Sequence, residues 1–140
     1  MHFDVKEQQI KEILEQNSTI AVVGLSDNPA RPSYRVAQYM KEHGYRIIPV
    51  NPNLKTVLGE TAYPDLLSIP DNVDIVNVFR RSEDVPPIVD DALKIKPNVV
   101  WLQLNIINHE AAAKCRDAGV GIIMDKCIKV EHCRFFPEEV

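Results

Sequence analysis

The segment that begins at Gly24 carries the residue types of a phosphate-binding loop. It reads Gly-Leu-Ser-Asp-Asn-Pro-Ala-Arg-Pro-Ser, so the hydroxyl groups of Ser26 and Ser33 and the guanidinium of Arg31 lie close together in sequence. A glycine that ends an apolar run, followed by polar residues and the start of a helix, presents backbone N–H groups and a positive helix end to an anion. This pattern predicts a phosphate site. The alternative is that Gly24 only makes a turn and Ser33 only caps the helix.

Arg80 and Arg81 form a second candidate for anion contact, because they directly follow an apolar run that ends at Phe79. The fixed fork of guanidinium donors matches a phosphate group well. We expect at least one of the two to contact a ligand, and Arg80 is favoured because it is nearer the end of the run. The alternative is ion pairing with the nearby Glu83 or Asp84, or with the acidic residues Asp90 and Asp91.

The elements that position these residues alternate between short β-branched runs and helical patterns. This alternation predicts an α/β fold, specifically a Rossmann-like doubly wound parallel sheet of about five strands in the order 3-2-1-4-5, with helices on both faces. The predicted strands are 19–24, 46–50, 73–79, 98–102 and 120–124, and the predicted helices are 4–15, 33–43, 86–94 and 108–117.

Ligands of such sheets bind beyond the carboxyl ends of the strands, where the strand order reverses. That rule selects the loops that follow Gly24, Val50, Phe79 and Leu102. Gln103, in the last of these loops, is placed either to reach the ligand or to bond to backbone. Between Asn51 and Asn72 the sequence predicts at most one short helix, and from Asp125 onward it predicts a less regular tail.

A dinucleotide is the main alternative ligand, in which case the chain would be an NAD(P)-binding redox sensor or a fragment of an oxidoreductase. Only Gly24 remains of the Gly-x-Gly-x-x-Gly pattern, and Asn51 stands where an acidic residue would hold the ribose of NAD. Both features argue against this alternative.

The tail contains the residues most suggestive of reactivity, namely Cys127, His132 and Cys133. They could ligate zinc or form a Cys–His pair for acyl transfer. Cys-x-x-Cys spacing is absent, and no third group orients the histidine. We therefore expect no catalytic residue and no metal site, and a structural role for Cys127.

Composition narrows the class of protein. The 140 residues suit a single domain spanning 1–140, and a net charge of −4 argues against nucleic-acid binding. No apolar stretch reaches the length of roughly 18 residues expected of a membrane span. Three cysteines, an odd number, predict reduced thiols and a cytoplasmic location. A homodimer or another protein partner stays open.

Six blocks of sequence resemble the stand-alone CoA-binding protein family, which is similar to the N-terminal CoA-binding domain of the succinyl-CoA synthetase α subunit. The resemblance follows the same order along nearly the whole chain. The departure is Asn105, where that family usually has glycine. The six blocks are 22–26, 31–33, 48–52, 78–81, 100–103 and 124–128.

The resemblance implies a domain that binds coenzyme A, or an acyl-CoA, over the strand ends and acts without catalysis as a carrier, sensor or regulatory module. The first loop would hold phosphates, the second would contact the nucleotide, and the third would lie along the ligand. The residues implied are Gly24, Leu25, Ser26, Arg31 and Ser33 in the first loop, Val50, Asn51 and Pro52 in the second, and Phe79, Arg80, Arg81 and Ser82 in the third. A separate ligase domain with a phosphorylated histidine, which the synthetases use, is absent from this sequence, so ligase activity is not implied.

Overall fold

The computed structural model describes residues 5–137 and places a five-stranded parallel sheet at the centre. Five helices and a small two-stranded hairpin surround the sheet. The helices are α1 (Ile10–Gln16), α2 (Pro32–Glu42), α3 (Val85–Lys94), α4 (His109–Ala118) and α5 (Ile128–Phe135). The strands are β1 (Thr19–Val23), β2 (Arg46–Val50), β3 (Thr56–Val57), β4 (Glu60–Thr61), β5 (Ile75–Val78), β6 (Val99–Leu102) and β7 (Gly121–Ile123). Three short 3-10 turns occupy Glu7–Gln9, Leu66–Ser68 and Ser82–Asp84.

The predicted fold class is confirmed, since the structure is a Rossmann-like α/β sheet with helices on both faces. The predicted order 3-2-1-4-5 is wrong. The observed order is β2-β1-β5-β6-β7, so the third long strand lies between the first and the fourth. In the numbering of the prediction, the order is 2-1-3-4-5.

The reason for this order lies at the outer edge of β2, which Tyr63 already occupies. The Tyr63 N–H donates to the carbonyl of Pro49 at 2.9 Å, and the Asn51 N–H donates to the carbonyl of Tyr63 at 2.9 Å. The position that the third strand would have taken is therefore filled. β5 pairs instead with the free side of β1, where the Asp74 carboxylate also accepts the N–H groups of Ser18 and Thr19 at 2.9 and 3.0 Å.

Two apolar layers cover the sheet. Helices α1, α2 and α5 pack on one face around Trp101, which is fully buried, and α3 and α4 pack on the other face. Because both faces are covered, strands β5 and β6 are buried at every position. This explains why their sequences do not alternate and are apolar at every position except Asn77 in β5.

Four local features differ from the sequence predictions. The segment after Asn51 holds the hairpin of β3 and β4 as well as a short 3-10 turn, and the tail forms α5. Helix α2 begins at Pro32 with Arg31 as its N-cap, so Ser33 lies inside the helix and does not cap it. The first helix starts with a 3-10 turn at Glu7; the predicted start, Asp4, lies outside the described residues. Within residues 5–137, no helix is long and apolar enough to cross a membrane.

Candidate functional site

The strand order reverses between β1 and β5, and Gly24 and Phe79 follow these two strands. Phe79 N–H donates to the carbonyl of Val23 at 2.9 Å, and Gly24 N–H donates to the carbonyl of Val50 at 3.0 Å. Gly24 has a φ of +86°, and a Cβ at this position would lie 2.4 Å from the carbonyl oxygen of Phe79. Only glycine fits this crossing, where the chain leaves the sheet in two opposite directions.

The loop after Gly24 is held together by its own serines. Ser33 Oγ accepts the N–H of Ser26 at 3.0 Å, and Ser26 Oγ accepts the N–H of Asn28 at 3.0 Å. Each hydroxyl therefore uses its oxygen as an acceptor, while its hydrogen has no acceptor among the described residues. Both hydroxyl hydrogens remain able to donate to an anion.

The start of α2 supplies further donors. Pro32 is the first helical residue and has no N–H, and the N–H groups of the next residues, Ser33 and Tyr34, have no intrahelical acceptor in the first turn. The positive end of the helix dipole is at the same place. Ser33 is 6% exposed, so a ligand here would meet a donor that is already ordered.

The two arginines after Phe79 differ in their surroundings. Arg81 Nε lies 3.3 Å from Asp84 and 3.6 Å from Glu83, so the ion pairing that the sequence offered as an alternative occurs at Arg81. Arg80 forms no ion pair with any residue in the described part of the chain, and the same holds for Arg31. Both of these unpaired guanidinium groups line the same cleft.

That cleft, which we call the main cleft, has a volume of about 950 Å³ and lies between the first loop, Arg80 and the loop after β6. A second cavity of about 350 Å³, which we call the side cleft, lies at the end of β2. The two cavities share Gly24, Arg80 and Asp84. Arg80 therefore lies at the junction of two adjoining cavities.

Most of the residues predicted for the site meet at these cavities. The main cleft is lined by Gly24, Ser26, Arg31, Ser33, Phe79, Arg80 and Arg81, and the side cleft by Val50, Asn51 and Pro52. The Asn51 side chain bonds to protein, since its Nδ2 donates to the carbonyl of Leu25 at 3.1 Å and its Oδ1 accepts the N–H of Asn53 at 2.9 Å.

Leu25 and Ser82 line neither cavity. The Leu25 side chain is fully buried in the apolar layer of α2. Ser82 joins two loops, because its Oγ accepts the N–H of Ile107 at 3.1 Å and its carbonyl accepts Nδ2 of Asn108 at 2.9 Å. Ligand contact by these two residues remains a prediction, and their observed role is to position the loops.

Gln103 and Asn77 form a buried polar pair beside the main cleft that residue spacing did not predict. Gln103 Oε1 accepts the N–H of Ile128 at 3.0 Å and Nδ2 of Asn77 at 3.2 Å, and Gln103 also lines the main cleft. Gln103 therefore bonds to backbone and lines the main cleft as well, and its contact with a ligand remains a prediction. The one available signal was Asn77 itself, a polar residue in the middle of an apolar strand that is 1% exposed.

The tail reaches the main cleft because it is tied to β6 and to the loop that follows. Trp101 Nε1 donates to the carbonyl of Lys126 at 2.8 Å, and Asn105 N–H donates to Asp125 Oδ1 at 2.7 Å. Asn105 has a φ of +70°, which shows that asparagine takes the left-handed conformation where the resembling family has glycine. These bonds place Cys127 in the lining of the main cleft.

The three reactive residues of the tail do not converge. Cys127 faces the main cleft, whereas His132 Nδ1 lies 2.8 Å from Tyr39 Oη, and Cys133 Sγ lies 3.1 Å from the same oxygen. Burial, together with the nearby His43, lowers the pKa of His132. Among residues 5–137, no three His, Cys, Asp or Glu side chains are grouped to hold a metal ion.

Comparison with known proteins identifies a family that matches most of the chain. The profile of a family described as a CoA binding domain matches residues 18–133. The uncharacterized protein YneT of Bacillus subtilis (strain 168) is 47% identical over 124 residues, which cover 89% of this chain and 92% of that protein. A hypothetical protein from Pyrococcus horikoshii OT3 has a solved structure that superposes with a TM-score of 0.90 at 39% identity, covering 94% of this chain and 92% of that one.

A longer relative is the ADP-forming acetate–CoA ligase II of Archaeoglobus fulgidus. It is 30% identical over 89 residues, which are 62% of this chain but 13% of the ligase. The similarity therefore concerns one small part of that enzyme.

Proposed function

Because this chain belongs to the CoA binding domain family, we propose that it binds coenzyme A, free or acylated, across the carboxyl ends of its parallel sheet. The observation that carries the proposal is Arg80, an unpaired guanidinium at the junction of the main and side clefts. A ligand whose phosphates lie between two larger groups would place one group in each cleft. Its negatively charged phosphates would then lie next to Arg80.

The donors of the first loop fit the phosphates of this ligand. The hydroxyl hydrogens of Ser26 and Ser33, the first-turn amides of α2 and the guanidinium groups of Arg31 and Arg80 all lie at or beside the main cleft. Hydrogen bonds from charged donors to phosphate are about twice as strong as those between neutral groups. We therefore assign the phosphates to this side of the main cleft.

The side cleft suits the adenosine part of the ligand. Val50, Pro52 and Ile88 give it apolar walls, while Asp65 and Asp91 offer acceptors for amino and hydroxyl hydrogens. The ribose of CoA also carries a 3′-phosphate, which these carboxylates would repel, so that phosphate would point out of the side cleft toward Arg80. The charge distribution of the two cavities thus favours one orientation of the ligand.

The protein groups in this site bind and orient the ligand, and we assign none of them to a reaction step. The serine hydroxyls of the first loop accept from backbone amides, and among residues 5–137 no base is hydrogen-bonded to them, as a nucleophile would require. We accordingly propose a non-catalytic module that carries, senses or presents the ligand.

Thermal unfolding with CoA, NAD and NADP added separately tests the proposal. A ligand at 100 times its dissociation constant stabilises the folded state by about 2.7 kcal/mol, which corresponds to a rise in Tm of roughly 5–12 °C at this chain length. We expect this rise with CoA. A rise with NAD or NADP and none with CoA would replace the proposal with dinucleotide binding.

A further inference from the structure

Gln103 is a buried residue whose carboxamide is fixed in one orientation. It is 5% exposed, and its Oε1 accepts from the backbone N–H of Ile128 and from Nδ2 of Asn77. Because a backbone N–H can only donate, the atom that faces Ile128 must be the oxygen. The amino group, Nε2, is consequently turned away from the bonds that hold the side chain.

The two hydrogens on Gln103 Nε2 have no acceptor among residues 5–137, although the residue is more than nine-tenths buried. Every side-chain nitrogen or oxygen that is fully shielded from solvent in the described structure has a partner, so Nε2 must be reached from the main cleft that Gln103 lines. In the free protein this donor is left to water in the main cleft, and an acceptor on a bound ligand would replace that water. This donor therefore points to an acceptor on the ligand.

The surroundings of Gln103 differ from the rest of the main cleft. All the lining residues contributed by the loop after β6 and by the tail are uncharged, and the charged ones come from the opposite wall. Leu104 is 57% exposed, so its side chain offers apolar surface beside the cavity. The uncharged residues are Gln103, Leu104, Asn105, Ile106 and Cys127.

We propose that this uncharged end of the main cleft binds the thioester of an acyl-CoA with an uncharged, aliphatic acyl group, and that Gln103 Nε2 donates to the thioester carbonyl oxygen. The proposal rests on the proposed function and specifies its ligand. The acyl chain would cover Leu104, which a free thiol would leave exposed. An acyl group that ends in a carboxylate would meet no cation at this end of the cleft.

Isothermal titration with four ligands tests the proposal: CoA, butyryl-CoA, succinyl-CoA and S-butyl-CoA. The last has the same chain length as butyryl-CoA but a thioether in place of the thioester, so it lacks the carbonyl oxygen. We expect butyryl-CoA to bind about three- to tenfold more tightly than S-butyl-CoA, which is the contribution of one hydrogen bond. Butyryl-CoA should also bind more tightly than CoA and succinyl-CoA.

The variant Gln103→Glu retains an oxygen that accepts from Ile128 and Asn77 and replaces the donor with a charged oxygen. It should remove the difference between butyryl-CoA and S-butyl-CoA. Gln38→Glu makes the same chemical change on the exposed surface of α2 and should preserve the difference. If Gln103→Glu does not fold, the ligand series on the unmodified protein still decides the matter.

The outcomes separate this inference from the function on which it rests. If CoA binds but butyryl-CoA and S-butyl-CoA bind equally, or succinyl-CoA binds most tightly, the inference is wrong and the proposed function stands. A difference that survives in Gln103→Glu also overturns the role of Gln103. If none of the four ligands binds, the proposed function itself fails.

Discussion

The backbone of Gly24 passes so close to Phe79 that a methyl group on Gly24 would lie 2.4 Å from the Phe79 carbonyl oxygen. The two residues end neighbouring strands from which the chain departs in opposite directions. The absence of a side chain at position 24 is what allows β1 and β5 to be neighbours at this end while the site opens between their loops.

Replacing Gly24 by alanine should therefore cost more stability than a positive φ alone explains. Gly44→Ala is the matched control, because Gly44 has a φ of +95° but no atom within 4 Å of an added Cβ. A positive φ costs a residue with a side chain about 1–2 kcal/mol. Urea unfolding should show about that loss for Gly44→Ala and a clearly larger loss for Gly24→Ala. Equal losses would mean that the loop relaxes without penalty.

The unequal surroundings of Arg80 and Arg81 predict unequal effects on binding. Arg80→Ala should weaken the binding of CoA by about 1–3 kcal/mol, since a charge-assisted bond to phosphate is lost. Arg81→Ala should have a smaller effect, because Arg81 is already engaged with Glu83 and Asp84. Isothermal titration of both variants at one salt concentration measures the contrast. A dissociation constant unchanged by Arg80→Ala would remove Arg80 from the site.

The three cysteines should respond differently to alkylation. Cys127 lines the main cleft, Cys133 is exposed, and Cys115 is buried. Burial raises the pKa of Cys115 to about 11, against a small opposing effect of Arg116, so its thiolate is scarce at neutral pH. Mass spectrometry after iodoacetamide treatment should show CoA slowing the modification of Cys127 while leaving that of Cys133 unchanged.

Cys133 serves as the internal control in that experiment, and Cys115 should react only when the protein unfolds. Equal protection of Cys127 and Cys133 would indicate a global change rather than occupancy of the main cleft. An unprotected Cys127 at saturating CoA would show that the ligand does not reach this wall.

The stability of the protein should fall on acidification because of His132. Burial and the nearby His43 hold its pKa below the ordinary value of about 6.5, so the unfolded chain binds the proton more readily than the folded protein does. The stabilising contribution is complete above about pH 6.5 and declines as the pH falls from there to the pKa of the folded protein.

Urea unfolding between pH 5 and pH 8 should show this decline, and His132→Gln should reduce it. His109→Gln makes the same replacement at an exposed position and serves as the matched control. The contact between His132 and Tyr39 links α5 to α2, so the same range of pH should affect the packing of these two helices. An identical pH dependence in His132→Gln would assign the effect to another group.

Local signals in the sequence predicted most helices and strands, but they did not predict how distant strands pair in the sheet. Asn108 caps α4 with its side chain on the Ala111 N–H at 2.9 Å, and Gly119 ends the helix with a φ of +75°, as the sequence indicated. The strand order was not predicted, and the bonds of Tyr63 to the outer edge of β2, where the third strand was expected, have no periodic pattern in the sequence.

Helix α5 was missed for a related reason. Its residues include several with low helix propensity, such as Val130 and Cys133, so local preference argues weakly for a helix. Packing against α1 and α2 stabilises the helix instead, and Ile128 at its start is fully buried. Short helices commonly owe their stability to such packing.

The site was predictable only in part. The loops that carry phosphate-binding residue types are contiguous in sequence, and they line the two clefts. The orientation of Gln103 depends on Asn77 in one strand and on the Ile128 amide at the start of α5, which lie 26 and 25 positions away. Such an arrangement has no signature in the spacing of residues.

The bonds of Tyr63 to β2 also affect whether the edge of the sheet can pair with a strand of another chain. An unpaired edge of a sheet can add a strand from another chain, which is a common route to aggregation. At this edge, Pro49 has no N–H to offer, and its carbonyl is taken by Tyr63. The N–H of Asn51 is taken as well. This end of the sheet is therefore protected against edge-to-edge association by the same residue that occupies the outer edge of β2.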